Sequence, residues 1–445
     1  MSLRLAGALL PAALAWFIGC SSPSPLKVPI QGGVVLEGNL VSWSTDEPTL
    51  GSVRYGTQSG VYDRVAYPAS AGRADFAYTT EHRVPLLSVS QGEKIYLQVL
   101  DRAQNGGVVT AGEVSFTVGA RPAPRPFLSW TMIDVGFGDS HILTMPNTGK
   151  RIIIDGGERR DWSNVDTYLR SEGVTRLDVA LATHVHSDHI GGLIGESYTS
   201  SDGVLGAYEI GRFLDTPLKS DMDSYAYRSY RDEILPVLRA KSVPIDTIRA
   251  GDTSASRSAL VWDPSVGVEI LNSGYGSTFG GVSQGDILNN DSVVLRVSYG
   301  DVNLVLGGDA EGPVTTSIAA AKGSAIDSEV LKVHHHGLDD SSPAEWVNAV
   351  NPRAGLIPIT TYESDLGTLP SESVLIRLRS HRTDIYASDR SEPLGLRLTN
   401  DKGYNVTVTT DGVSYEVTMA LSQSQHYAPG SSAPAMPAEY EVNQR

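Results

Sequence analysis

Thr183-His184-Val185-His186-Ser187-Asp188-His189-Ile190-Gly191-Gly192 packs three imidazoles and a carboxylate between residues 184 and 189. It follows Val179-Ala180-Leu181-Ala182, an apolar run that reads as a buried strand. Borderline metals such as zinc take neutral imidazole and carboxylate ligands converging on one point. A strand that breaks into a turn offers that convergence, because its side chains are released from strict alternation. Core histidines come singly and a purification tag is an unbroken terminal run, so this pattern reads as a metal site. A second cluster, Val333-His334-His335-His336-Gly337, brings the two clusters to six of the chain's ten histidines.

Outward from these clusters the chain alternates strands and helices over residues 127–420. Leu128–Val135 reads as a strand, and Ile142–Met145 pairs with Arg151–Asp155 through the Asn147-Thr148-Gly149 turn. Trp162–Glu172 and Tyr225–Lys241 read as helices, with Val165, Tyr168 and Leu169 on one face of the first. Strands follow at Gly267–Leu271, Ser292–Tyr299 and Val302–Leu306, the last two joined by a Gly300-Asp301 hairpin turn. A final hairpin joins Tyr404–Thr409 to Val413–Met419, and the Gln, Ser, Pro and Ala content of residues 421–445 predicts a disordered tail.

Residues 30–119 read differently, as about seven short alternating strands of an all-β sandwich. The phrases VSWSTDEPTLGSVRYGT and HRVPLLSVSQGEKIYLQV resemble a fibronectin type III-like unit of the kind found in front of some secreted phosphatases. Trp43 and Tyr55 are core residues on this reading and His82 a strand residue. Residues 120–126, Ala-Arg-Pro-Ala-Pro-Arg-Pro, form a stiff Pro-rich linker.

At the N-terminus, Arg4 precedes an apolar run from Leu5 to Ile18, then Gly19-Cys20, which is the single cysteine. Residues 1–19 therefore read as a signal peptide and Cys20 as the lipidated residue of a bacterial lipoprotein, although Phe17 departs from the usual aliphatic residue. Residues 20–29 then form a Ser/Pro tether, and plain secretion is the alternative. Either way the expected location is extracytoplasmic, and on the lipoprotein reading the chain is anchored to a membrane through Cys20. No other stretch is apolar for long enough to span a bilayer. A net charge of −16 over 445 residues argues against a general nucleic-acid-binding surface.

Four motifs fall within one domain: Asp134-Val135-Gly136-Phe137-Gly138-Asp139-Ser140 with Ile154-Asp155-Gly156-Gly157; the first histidine cluster; Asn289-Asn290-Asp291-Ser292 leading to Leu306-Gly307-Gly308-Asp309; and Leu331-Lys332 with the second cluster. Their order and spacing over residues 127–412 resemble the metallo-β-lactamase superfamily. Within it they are similar to the branch holding the soluble hydrolase domain of ComEC-type DNA-uptake proteins and the phosphorylcholine esterase module. The resemblance implies an α/β fold, a four-layer αββα sandwich with metals at one edge of its two sheets. Here it is preceded by the small all-β sandwich.

The resemblance also implies roles. His184 and His186 hold one metal, and Asp188 and His189 the second. Asp309 bridges them, with an N-cap of the helix expected over Glu311–Ala321 as its alternative role. His336 completes the second metal, and His335 competes for that position. The histidine left unbound, taken as His335, meets a developing oxyanion. Asn289, Asn290 and Asp291 stand where many members carry a further histidine, leaving an open position at the first metal. Asn290 is assigned a catalytic role there. Asp139 and Asp155 are expected behind the ligands, orienting them, with a turn role as the alternative for Asp139.

The cofactors expected are two divalent ions, zinc with manganese as alternative, roughly 3.5–4 Å apart and sharing a hydroxide. No Gly-x-Ser-x-Gly elbow or cysteine nucleophile competes with them. Three family patterns change here: DVGQGDS reads DVGFGDS, HHGS reads HHGL followed by Asp339-Asp340, and a tyrosine-glycine-histidine-proline segment is replaced by Gly367–Ser371. These changes bear on the substrate. A small or lipid-linked phosphoester is expected, and nucleic acid is disfavoured by the acidic charge. Spacing alone does not place the cations Lys332 and Arg296 in the site. The alternatives are a secreted nuclease and a non-catalytic surface-binding module.

Overall fold

The computed structural model describes residues 30–68, 78–104, 106–120, 125–195, 203–217, 224–274, 284–359, 362–364, 367–388, 390–392, 398–399 and 403–422. The signal peptide, Cys20, the tether, most of the linker and the tail beyond residue 422 lie outside these residues. No helix among the described residues is long and apolar enough to cross a membrane.

Alternation of apolar side chains decides the layering. In strand Arg151–Ile154, Ile152 and Ile154 enter one core while Ile153 enters another. In Val179–Leu181, Val179 and Leu181 join the first core and Ala180 the second. The same split divides Leu304 and Leu306 from Val305 in strand Val302–Gly307. The shared core lies between two sheets and also holds Trp130, Trp262, Val268, Ile270 and Leu295. Helices Trp162–Ser171 and Ser187–Ile194 cover the outer face of the first sheet through Val165, Leu169, Ile190 and Leu193. Helices Gly312–Lys322, Ala344–Val350 and Glu372–Ser380 cover the second through Val314, Trp346 and Leu375. Helix, sheet, sheet, helix is the order of layers, and sheets dominate the α/β fold.

Parallel strands aim the site. Val179–Leu181 runs parallel to both Arg151–Ile154 and Phe213–Asp215. In the second sheet Val302–Gly307 and Val330–Lys332 run parallel, and Val330–Lys332 also pairs in parallel with Ala354–Ile357. The C-terminal ends of these strands deliver Thr183-His184, Asp309 and His334–His336 to one edge.

The expected helix over Tyr225–Lys241 is a composite: α-helix Tyr225–Ser229, a π turn Tyr230–Ile234, then α-helix Leu235–Ala240. Pro236 explains it. A prolyl ring lacks the N–H and collides with the carbonyl four residues back, and here the Leu235 N–H reaches the Tyr230 carbonyl instead, one residue further away.

In the N-terminal unit the strand Leu40–Gly56 pairs with four others, among them Arg64–Pro68 through Val53–Tyr55. Leu40–Ser44 pairs with Ile30–Glu37 and Thr79–Pro85, and after a register shift Thr49–Gly56 pairs with Lys94–Ala103. Exposed Asp46, Glu47 and Pro48 mark the shift. Val41, Trp43 and Val84 of the first group meet Val53, Tyr55, Leu97 and Val99 of the second in one core. His82 lies on a strand, stacked on Trp43 at 4.7 Å.

The N-terminal unit is not hung on its linker alone. Its strand Arg64–Pro68 pairs antiparallel with Ser414–Leu421, so the first sheet runs on into it. Tyr67 stacks on Tyr415 at 4.9 Å and donates to Asp384 at 2.8 Å. Arg102 pairs with the same carboxylate at 3.1 Å. Glu416, fully buried, accepts from the Tyr55 hydroxyl at 2.6 Å and the Leu87 N–H at 2.6 Å.

Candidate metal centre

Close backbone approaches set the frame. A Cβ on Gly192 would lie 1.8 Å from the Gly156 carbonyl oxygen, so the helix carrying Asp188 and His189 packs directly on the Asp155-Gly156-Gly157 loop. A Cβ on Gly308 would lie 2.4 Å from Thr183 Oγ1. That contact brings the Asp309 strand end against the first histidine cluster.

Asp155 is the hinge of the first cluster. Its carboxylate accepts from the Thr183 N–H at 2.8 Å and Oγ1 at 2.6 Å, and lies 2.8 Å from His189 Nδ1. The other ring nitrogen, His189 Nε2, thereby faces Asp309 Oδ2 at 3.0 Å. His336 Nε2 lies 3.1 Å from Asp188 Oδ2 and 3.4 Å from Asp309 Oδ2. Donor atoms of Asp139, His189, Asp309 and His336 all fall within 4.8 Å of one another, and all four residues are buried. The rings of His184 and His186 stand 4.7 Å apart and those of His184 and His189 4.1 Å apart. The six residues assigned to metals thus converge, together with Asp139.

The second histidine cluster divides. His334 is fully buried, with Nδ1 3.0 Å from the Gly308 carbonyl and its ring 5.5 Å from Trp346. His336 points into the cluster. His335 sits at the rim, its side chain 19 % exposed, with Nε2 4.0 Å from Asp309 and Nδ1 3.3 Å from Asp340. His335, His336 and Asp155 adopt positive φ values of 50°, 50° and 59°. Such left-handed conformations cost on the order of 1–3 kcal/mol each in non-glycine residues and concentrate at functional sites.

One assignment changes, and the N-cap alternative for Asp309 falls away because Glu311 holds the N-cap position of Gly312–Lys322. Asp139 lies against the Nδ1 sides of His336 and His189, at 3.4 Å and 3.8 Å, opposite the Nε2 atoms that face Asp309. Asn290, assigned to catalysis, is fully buried and spent on a neighbour. Its Nδ2 donates to Glu311 Oε2 at 3.0 Å and its Oδ1 accepts from the Glu311 N–H at 3.1 Å. Asn289 Nδ2 donates to Glu311 Oε1 at 3.0 Å. The asparagine pair therefore supports Glu311, whose carboxylate lies within 4.8 Å of donor atoms of His335 and Asp340.

The structure places Lys332, which spacing left open, and adds Glu311. Lys332, fully buried, lies 2.6 Å from Asp139 Oδ2 and 3.4 Å from Asp309 Oδ1, and donates to the Gly308 carbonyl at 2.9 Å. Only its place next to the HHH run signalled it. Arg296 turns away, donating to the Asp327 carbonyl. His141, buried with Nε2 3.8 Å from Asp139, also went unnoticed because a lone strand histidine carries no signal.

The electrostatics fit divalent cations. Burial alone lowers an imidazole pKa, yet Asp309, Asp188, Asp139 and Asp155 hold His189 well above its usual range. Against the same burial effect, Asp309 and Asp188 push His336 up to about 10. Asp139, Asp188 and Asp309 keep depressed pKa values despite burial, chiefly through Lys332 and His189 for the first and His189 for the other two. The cluster is built for more positive charge than Lys332 supplies. His184 completes the fit, because burial lowers its pKa and its Nε2 has no hydrogen-bond partner among the described residues. A neutral, unpartnered imidazole nitrogen beside carboxylates is a metal donor by chemistry.

A family model described as the metallo-beta-lactamase superfamily matches residues 133–360. The ComE operon protein 3 of Bacillus subtilis (strain 168) is 22 % identical over 288 residues, covering 61 % of this chain and 33 % of that protein. The competence protein ComA of Neisseria gonorrhoeae is 31 % identical over 106 residues, covering 24 % of this chain and 15 % of that one. The chain thus spans a third or less of the length of these relatives. Among solved structures, CmlA, a diiron beta-hydroxylase from Streptomyces venezuelae, shares 14 % identity with a TM-score of 0.37, covering 76 % of this chain and 69 % of that one. With the family match spanning half its length and containing both histidine clusters and Asp309, the chain belongs to the metallo-beta-lactamase superfamily.

Proposed function

We propose that the chain is a metal-dependent phosphoester hydrolase that works outside the cytoplasm. The observation that carries the reading is the buried convergence of Asp139, His189, Asp309 and His336, with His184 Nε2 unpartnered beside them. His184, His186, Asp188, His189, Asp309 and His336 would hold two divalent ions, zinc or manganese. The chemistry such ions supply when bound is Lewis acidity and activation of water near neutral pH.

The chain's own groups do the rest. Asp155 fixes the His189 ring through Nδ1, leaving Nε2 for the centre. Lys332 ties Asp309 Oδ1 and leaves Oδ2 facing His189 and His336. His335, with Nδ1 3.3 Å from Asp340, presents Nε2 at the rim, where it can donate to a developing oxyanion. Asn289 and Asn290 brace Glu311 next to it. Support for phosphoesters comes from the branch resemblance, with asparagines where many members carry a histidine. Exposed Asp340, beside His335, disfavours a polyanion at this rim. Support for export is the apolar run ending at Cys20, which suits lipid anchorage.

Assays of the full chain with zinc or manganese against phosphodiesters, phosphomonoesters, nucleic acids and lactones test this. Phosphoester hydrolysis lost in His184→Ala and Asp309→Ala is expected. Lactone hydrolysis alone, or inactivity of metal-loaded protein, overturns it.

A further inference from the structure

One flank of the cluster is apolar, and the groups named above leave it unused. Phe137 bridges its backbone to Ile359 and lays its ring 4.9 Å from that of His336 at 40°. Leu338 lies two residues beyond His336. Both are half-buried, and both pack on the same apolar group, which includes Val333, Ile357, Ile359 and Leu369. They are the half-exposed side chains of an otherwise buried cluster, and Phe137 is set against the ring that faces Asp188 and Asp309.

The other rim groups differ in character. His186, Ser187 and Glu158 are half-buried, and Asp339 and Asp340 are exposed. An anionic group drawn to the centre meets carboxylates on those sides and hydrocarbon on this one. A second negative charge close to the first would face Asp340 beside His335, or Glu158 beside Ser187. An apolar substituent would instead release water from Phe137 and Leu338, which is favourable in proportion to the area covered.

We propose that Phe137 and Leu338 form the wall that receives an apolar ester substituent, so that the preferred substrate is a phosphoester carrying an alkyl or aryl group and no second anionic group nearby. The inference rests on the phosphoester reading and narrows its substrate class. Phe137 and Leu338 act as specificity-determining residues. They take no part in the chemical step.

The test uses metal-loaded full-length chain and a series of alkyl 4-nitrophenyl phosphates with alkyl groups from methyl to hexyl. Full burial of a methylene corresponds to roughly a fourfold gain, so a half-open wall gives about twofold in kcat/KM per methylene over the first few. Phe137→Gln and Leu338→Ser each flatten that slope. Val261→Ser, at a 42 % exposed position outside this cluster, keeps it. Calorimetry with the matching alkylphosphonates reads the wall without turnover, with affinity rising and the heat-capacity change becoming more negative as the chain lengthens. Hydrolysis with a flat chain-length profile overturns the wall and spares the phosphoester reading. Absence of phosphoester hydrolysis removes that reading. The wall then stands or falls on the phosphonates, where length-independent or absent binding removes it.

Discussion

Replacing Glu416 by alanine should loosen the N-terminal unit from the rest of the chain. The carboxylate is fully buried on strand Ser414–Leu421 and accepts from Tyr55 and Leu87 at 2.6 Å each and from the Ser88 N–H at 3.0 Å. Ser88 is exposed and can turn to water, but the Tyr55 hydroxyl and Leu87 N–H are buried. Each stranded buried donor costs about 1–3 kcal/mol, giving about 2–6 kcal/mol for Glu416→Ala. That is a large fraction of the roughly 5–15 kcal/mol by which a protein is stable. Burial also pushes the Glu416 pKa up, against the hydrogen bonds from Tyr55 and Ser88. A raised folded pKa means that the ionised form is disfavoured on folding, and this penalty is present above the folded pKa and relieved as pH falls through it. Glu416→Gln should therefore lose less than alanine and remove that pH slope. Urea unfolding followed by tryptophan fluorescence and far-ultraviolet circular dichroism reads both effects. Wild type should unfold in one transition, and Glu416→Ala in two, beginning at lower urea. An unshifted single transition in Glu416→Ala, within about 0.5 kcal/mol of wild type, refutes the reasoning.

Other predictions concern the centre and one turn. Zinc at about a hundred times its Kd should raise stability by about 2.7 kcal/mol in thermal melts; His184→Ala or Asp309→Ala should erase the shift, and chelator should reverse it. Lys332→Met strips Asp139 and Asp309 of their buried cation, so metal-free protein should lose about 3–5 kcal/mol; an undiminished melting temperature contradicts the placement of Lys332. Asp263 accepts from the Ser265 N–H and hydroxyl at 2.9 and 2.7 Å and from the Asn147 and Thr148 N–H groups at 2.9 and 2.8 Å. Burial raises its pKa but these donors outweigh that and lower it overall. Its stabilisation is then present above about pH 4 and lost as pH falls through the folded value. Asp263→Asn should narrow the stability gap between about pH 5 and about pH 3 in urea melts, and an unchanged gap rules this group out as its source.

Local pattern made much of this legible. The first histidine cluster, the strand before it and the Gly300-Asp301 hairpin depend on neighbours within a few residues, where periodicity and turn chemistry act. The contacts that escaped join distant parts of the chain. Glu311 meets Asn289 and Asn290 across a hairpin, Lys332 meets Asp139 from another sheet, and Tyr67 meets Asp384 across most of the sequence. Asn290 was misread for the same reason: its position near the histidines was visible, but the carboxylate that occupies its amide was not. The π turn at Tyr230–Ile234 was readable in principle from Pro236, as an interruption rather than an end.

The pairing of Arg64–Pro68 with Ser414–Leu421 sets an order in time. Synthesis runs from the N-terminus, so the first unit emerges with the edge of Val65-Ala66-Tyr67 unsatisfied. It stays so for on the order of tens of seconds, until Ser414–Leu421 leaves the ribosome. An open strand edge is a template for any passing chain. Nascent molecules of this protein therefore need shielding during that interval, and a truncation ending before Ser414 would make the exposure permanent.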